Sequence, residues 1–178
     1  MKFVATIDRS PVPVRRSRRG AFARLEEPIA RRYGVLQMKL AVAQRMVEGA
    51  IAHARSRKMS PLAIVVLDAR GALKFAIAED GTSLKRGEIA TGKAHGALAM
   101  GLGSRTLHTR VQNQPHFFAA VTHAVGGMLV PVPGGVLVRT KNGELIGAIG
   151  ISGDTSDNDE EAALAGIAAV DLVGDPGS

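Results

Sequence analysis

The sequence has no cysteine, which excludes disulfide scaffolds, thiolate metal sites, iron–sulfur clusters and cysteine nucleophiles. It has no tryptophan, and five Phe and one Tyr are its only aromatic side chains. Its apolar runs fall well short of the roughly 20 residues that cross a bilayer, so a soluble, cytoplasmic protein without a membrane partner is expected. Acidic residues are scarce beside basic ones: 16 Asp and Glu against 23 Lys and Arg leave a net charge of +7. That imbalance is local. Residues 1–33 hold nine Lys/Arg and three Asp/Glu, whereas 34–178 hold 14 and 13. Beyond residue 33 only Phe75, Phe117 and Phe118 are aromatic, so there is no platform on which bases could stack. Nucleic-acid binding would have to reside in the basic segment alone, and it is not expected of the remainder.

What is present suits one domain with an extension: 178 residues, 46% of them hydrophobic. Residues 10–20 combine two prolines with clustered arginines and no hydrophobic period, the composition of a flexible arm. Ser17-Arg18-Arg19 is similar to a twin-arginine export signal, but Arg24, Glu26, Glu27 and Pro28 follow where an apolar stretch is required. The expectation is a basic N-terminal arm over 1–33 and a folded domain over 34–178.

In that domain, apolar residues recur at Leu36, Leu40, Ala43, Val47, Ala50, Ile51 and Ala54, the stripe of an amphipathic helix over 36–59 that Ser60-Pro61 ends. The β-branched run 62–68 predicts a buried strand, Arg70-Gly71 a turn, and 72–78 a second strand. A helix with a small-residue face (Ala90, Ala94, Ala97, Ala99) is predicted over 84–102, and Pro115 opens a short helix to 125. Gly126-Gly127, Pro131 and Pro133 predict a loop or a broken strand. Strands over 136–140 and 144–152 flank the turn signal Asn142-Gly143. Ser156-Asp157 is read as the cap of a last helix over 158–173. The expected order is helix, hairpin, two helices, about three strands, helix. Hairpins with segregated helices imply an α+β fold on an antiparallel sheet.

Gly147, Gly150 and Gly153 form neither a dinucleotide fingerprint nor a phosphate loop, and read as sites of close packing. Ser152 lies in Gly150-Ile151-Ser152-Gly153, which lacks the spacing of a hydrolase elbow. The five histidines (His53, His95, His108, His116, His123) make no two-histidine metal motif, although one imidazole suffices as an axial haem ligand. His116 and His123 stand two helical turns apart, about 10.5 Å, too far to share a metal ion. Asp154, Asp157, Asp159, Glu160 and Glu161 are dense enough for a cation site but lack the EF-hand pattern, and capping of the last helix explains them more simply. Lys93 stands among Ala90, Ala94 and Ala97, where partial desolvation would suit it to hold an anion or act as a base.

Taken in order, Ala63-Ile-Val-Val-Leu-Asp68-Ala-Arg-Gly71, Asp80-Gly81, Ile89-Ala90-Thr-Gly-Lys93-Ala94, Val132-Pro133-Gly134-Gly135 and Gly147-Ala-Ile-Gly-Ile-Ser-Gly153 resemble the GlcG/HbpS-like family. Asp159-Glu160 and Ala163-Leu-Ala-Gly166 extend the resemblance, which covers about 36–173. Ala78-Glu79, Leu137 and Gly96 depart from the family pattern, and they fall where loops would line a pocket. The resemblance implies an antiparallel five-stranded, profilin-like sheet flanked by helices, assembly into dimers or octamers, and binding of haem or a related tetrapyrrole. It places an inter-subunit ligand site near Lys93, His95, His123, Gly134, Gly135, Gly150 and Ser152. There Lys93 would pair with a propionate, and His123 or His95 would approach the iron, with His123 as metal ligand. The rival reading is a cofactor-independent enzyme acting on a small organic acid or aromatic catabolite. Lys93 or His95 would be its acid/base, and backbone N–H groups of the glycine loops would hold the anion.

Overall fold

The computed structural model describes residues 37–177, so the arm expected over 1–33 lies outside the described residues. The first hydrophobic stripe becomes α1, Leu40–Ser56, which buries Ala43, Met46, Val47, Ala50 and Ala54. Its end is closed locally. Lys58 adopts a left-handed conformation (φ 55°), and the Met59 N–H returns to the Ala54 carbonyl at 3.0 Å, satisfying an acceptor that the helix end leaves open. β1 (Ala63–Asp68), buried along its whole length, then pairs with β2 (Leu73–Ala78). Three helices follow: α2 (Arg86–Met100), α3 (Ser104–Asn113) and α4 (Pro115–Ala124). β3 (Gly135–Arg139) and β4 (Leu145–Ser152) make a second hairpin, and α5 (Ser156–Ala168) leads to β5 (Val173–Asp175). The strands form one sheet in the order β2-β1-β4-β3-β5, every neighbouring pair antiparallel. This is the α+β architecture expected.

Side chains alternate across a strand, so the sheet has two buried faces. Ile64, Val66, Val136, Val138, Ile149 and Ile151 pack with Met46, Val47 and Ala50 of α1 and Ala163 and Ile167 of α5. On the other face Val65, Leu67, Leu137 and Ala148 meet Ala90, Ala94 and Ala97 of α2. Glycine brings α2 down onto the sheet. A Cβ on Gly150 would come within 2.0 Å of the Ala90 carbonyl oxygen, and one on Gly135 within 2.4 Å of the Lys93 carbonyl oxygen. A smaller cluster of Leu107, Phe118 and Leu129 lies among α3, α4 and the segment after them.

The structure departs from the expected elements in three places. Residues 104–113 form a helix although they carry few apolar residues; Leu107, fully buried, anchors it. Two strands precede the last helix and one follows it, and no strand forms over 126–134. The last helix is capped by Thr155, whose hydroxyl accepts the Asn158 N–H at 3.3 Å, one residue before the expected cap. That helix ends at Ala168 rather than 173: Asp171 turns the chain at φ 60°, and Val173–Asp175 joins β3 as an edge strand. Among the described residues no helix is long and apolar enough to cross a membrane.

Candidate functional site

Helix α2 presents two unlike sides. On one, Lys93 is 2% exposed and its Nζ donates to Asp159 Oδ2 at 2.8 Å; Asp159 is 1% exposed. The two residues come from helices on opposite faces of the sheet, and Gly134 leaves the gap through which they meet. Gly134 has φ 112°, and a Cβ there would stand 2.9 Å from Lys93 Nζ, Asp159 Cβ and the Ile151 carbonyl oxygen alike. Burial lowers the Lys93 pKa from the ordinary lysine value, opposed by the Asp159 charge. Burial likewise raises that of Asp159, opposed by Lys93. Burial opposes both charges, and each partner's charge offsets part of that cost.

More polar contacts close this end of the sheet. The Asp154 N–H donates to Asp159 Oδ1 at 3.0 Å, Arg86 donates to Ser152 Oγ at 3.2 Å, and the Gly135 N–H donates to Ser104 Oγ at 2.7 Å. Arg105 spans Glu160 at 2.9 Å and Asp157 at 2.6 Å. Burial raises the Glu160 pKa, and its Oε2 has no hydrogen-bond partner. Of the residues expected at a ligand site, Lys93, Gly134 and Gly135 therefore meet at one point. Gly150 lies under Ala90 in the same helix–sheet contact, and Ser152 is fully buried beside Arg86. Within the protomer this is a packed ionic junction.

The acidic group around α5 is dispersed. The Asp154 carboxylate accepts N–H groups from Ser60 (2.6 Å) and Thr155 (2.8 Å) and the Asn158 side-chain amide (2.6 Å), which hold its pKa well below the usual carboxylate range. Glu161 reaches His53 at 3.2 Å and Arg57 at 3.7 Å. Among the described residues no group of three or more His, Asp and Glu is arranged to hold a metal ion.

The other side of α2 is partly covered by Leu129 and Val130, which pack on Gly96 and Gly92. His95 follows Lys93 by two residues, about 200° round the helix, and its Nδ1 is 3.0 Å from the Met128 carbonyl oxygen. One to two turns earlier, Glu88, Thr91 and Gly92 bound a cavity of about 260 Å³ together with Gly127, Met128 and Val130. A second cavity, about 560 Å³, is lined by Ala119, Thr122, His123, Gly126 and Gly127. Gly127 borders both: the smaller is lined from α2 and the loop after α4, the larger from α4 and that loop. His123 is exposed in the wall of the larger, while His95 reaches that loop from α2. The structure thus places the two histidines apart from the Lys93 junction.

Sequence reasoning missed two things here. Asp159 stands in the first turn of the last helix as its sequence position implies, but nothing in the sequence shows that it is also the counter-charge of Lys93. The groove along the loop after α4 had a readable signal: residues 111–138 contain no Asp, Glu, Lys or Arg. Yet Phe117 is 52% and Met128 44% exposed, with His116, Ala119, Ala120, His123 and Ala124 also at the surface.

No curated protein sequence matches the chain. Among solved structures it is similar to the PduOC:heme complex, at 25% identity and TM-score 0.69, covering 77% of this chain and 97% of that one. It also shares the fold of a double mutant of HbpS from Streptomyces reticuli (24% identity, TM-score 0.65, covering 75% and 87%). The Klebsiella pneumoniae protein ORFY has the same fold (23% identity, TM-score 0.67, covering 76% and 92%). The family model described as "Haem degrading protein HbpS-like" matches residues 38–168, from the residues before α1 through all of α5, and the chain therefore belongs to the HbpS-like family.

Proposed function

We propose that the protein is an oligomeric, cytoplasmic small-ligand-binding protein that takes haem or a related tetrapyrrole in the groove along the loop after α4. The observation that carries this reading is His123, exposed in the wall of a groove whose α4 side comes from a stretch with no charged residue. The donor set fits the group: a flat, apolar-edged ring needs apolar walls, here Ala119, Met128 and Val130, and a nitrogen donor for its metal. Haem, when bound, would supply an iron centre, with His123 as its protein ligand. Lys93, buried on Asp159, holds the α2–α5 junction in this reading rather than a propionate. Lys85, paired at 2.7 Å with Glu88 at the rim of the smaller cavity, is a cation that a ligand carboxylate could share. Membership of the HbpS-like family and likeness to a protein crystallised with heme support the choice of ligand.

Hemin titration followed at the Soret band tests it. Saturable binding is expected, with His123→Ala shifting the band and weakening binding by at least about tenfold. Binding no tighter or more saturable than to an unrelated protein of similar charge overturns the proposal. The second reading, a cofactor-independent enzyme for a small organic acid or aromatic catabolite, has one observation in its favour. Burial lowers the Lys93 pKa, as a general base requires. A 2% exposed ammonium bonded to Asp159 offers a substrate no approach, so the tetrapyrrole reading is preferred.

A further inference from the structure

Leu84 is 91% exposed, the most of any large apolar side chain among the described residues. It does not ride on a loose loop. The Thr82 N–H and hydroxyl both donate to the Glu79 carbonyl, at 3.2 and 2.6 Å, and the Arg86 N–H donates to the Ser83 carbonyl at 3.1 Å. Arg86 also holds Ser152 at the end of the sheet, at 3.2 Å. The backbone thus fixes an apolar side chain in water, where it gains nothing from its own protomer. Three residues on, Gly87 is equally unexplained from within. It stands in the first turn of α2, and a Cβ there would meet nothing within 4 Å. Elsewhere on α2 glycine makes room for a neighbour, Gly92 for Val130 and Gly96 for Leu129. At Gly87 no part of the protomer uses the space, although glycine weakens a helix relative to alanine.

One turn further on, Glu88 and Thr91 border the smaller cavity. Leu84, Gly87 and Thr91 therefore follow one another at intervals of three and four, along one line of the helix and the turn that leads into it. We infer that a second copy of the chain docks on this line, α2 against α2 about a two-fold axis at Gly87, so that the Leu84 of each copy enters the smaller cavity of the other. In a two-fold contact, if one residue meets another, the reverse also holds. An axis midway between Leu84 and Thr91 brings each onto the other's counterpart, and Gly87 lets the helices approach there. The charges agree. Lys85 and Glu88 stand side by side at 2.7 Å, both exposed, and the axis reverses their order, so that each ammonium meets the second copy's carboxylate. Leu84 then adds an apolar wall to a cavity whose α2 side is Glu88, Thr91 and Gly92. His123, at the larger cavity, and Phe117 stay outside this contact.

The inference names the partner in the oligomer of the proposed function and needs none of its ligand chemistry. The chain has no cysteine, so disulfide trapping tests it directly. Within one chain, positions 84 and 91 are about 10 Å apart along the helix, beyond the roughly 7 Å that a disulfide can bridge. Leu84→Cys/Thr91→Cys should therefore oxidise to a covalent dimer on a non-reducing gel, while either single variant stays a single chain. In sedimentation velocity, Leu84→Asp and Gly87→Leu should each weaken self-association by at least about tenfold, with the far-ultraviolet circular dichroism of the wild type retained. A wild type that stays monomeric at all concentrations overturns the inference, and binding of that monomer to anionic vesicles through Leu84 would give the exposed leucine to a lipid surface instead. A double-cysteine chain that assembles but does not cross-link overturns it too, because the contact then lies elsewhere. Hemin uptake is read separately: a protein that cross-links as expected yet takes up no hemin keeps this contact and ends the ligand reading.

Discussion

The two sides of α2 differ in what satisfies them. Beside Lys93 the charges meet counter-charges inside the protomer: Lys93 with Asp159, Arg105 with Glu160 and Asp157. Beside His95 and across to His123, the α4 and loop walls bring no charge, and Phe117 and Met128 face solvent. Lys93, which the sequence marks as a candidate site residue, has its charge met by Asp159 within the protomer. A buried ion pair is weak evidence for activity, because removing two charges from water must be offset wherever it occurs. An uncharged exposed surface has no such internal answer. On the proposed reading the junction serves stability and the groove serves binding, and each assignment can be broken separately.

The largest effect is expected at the junction. Asp159→Ala leaves an ammonium buried without its partner, which should cost about 3–5 kcal/mol in urea denaturation. The double variant Lys93→Met/Asp159→Leu removes both charges and should recover most of that loss, because apolar replacement of a buried pair is often neutral or stabilising. A single-variant cost below about 1 kcal/mol would mean that Lys93 finds water or another partner, and would reopen that end of α2 as a site.

Much of the fold was legible because its elements are periodic and locally punctuated. The stripe of α1, the hairpin around Arg70-Gly71 and the Asn142-Gly143 turn each carry their own signal, and Gly143 takes the left-handed φ of 85° that such a turn requires. What was not legible depended on partners distant in sequence. α3 is polar and is fixed by Leu107 and by Arg105 reaching α5. The apolar residues Leu164, Ile167, Val170 and Leu172 continue a helical period past Ala168, so the end of α5 and the strand β5 are visible only once β3 is in place. The Lys93–Asp159 pair joins residues 66 apart through a gap that exists because Gly134 has no side chain. His123 was named from the sequence as a single imidazole; its neighbours in the groove come from the loop at Gly126–Gly127.

A smaller effect separates the charges of the junction by pH. Asp154 is an acceptor for Ser60, Thr155 and Asn158, so its pKa is lower folded than unfolded. Its contribution is therefore present above the ordinary carboxylate value of 3.8 and is lost as pH falls below it. Asp159 has the opposite sign: with its folded pKa raised, its contribution is fully present below 3.8 and is lost as pH rises through the folded value. Asp154→Asn should flatten the loss of stability in acid, read as urea midpoints between about pH 5 and pH 2.5. An unchanged acid slope would show that the Ser60 and Thr155 bonds survive unfolding or contribute nothing.

The smallest expected effect tests the other side. If the groove is a binding surface that the fold does not need, His123→Ala should leave the urea midpoint of the ligand-free protein within about 0.5 kcal/mol of the wild type, and so should Phe117→Ser on the exposed surface of α4. Phe118 provides the internal contrast, because it is 4% exposed and packs with Leu107 and Leu129. Phe118→Ala should cost about 3–5 kcal/mol, although it is the next residue along the same helix. Equal losses at Phe117 and Phe118 would mean that α4 is covered on both sides in solution. The groove would then be part of a core completed by another chain, and the division of labour across α2 would fail.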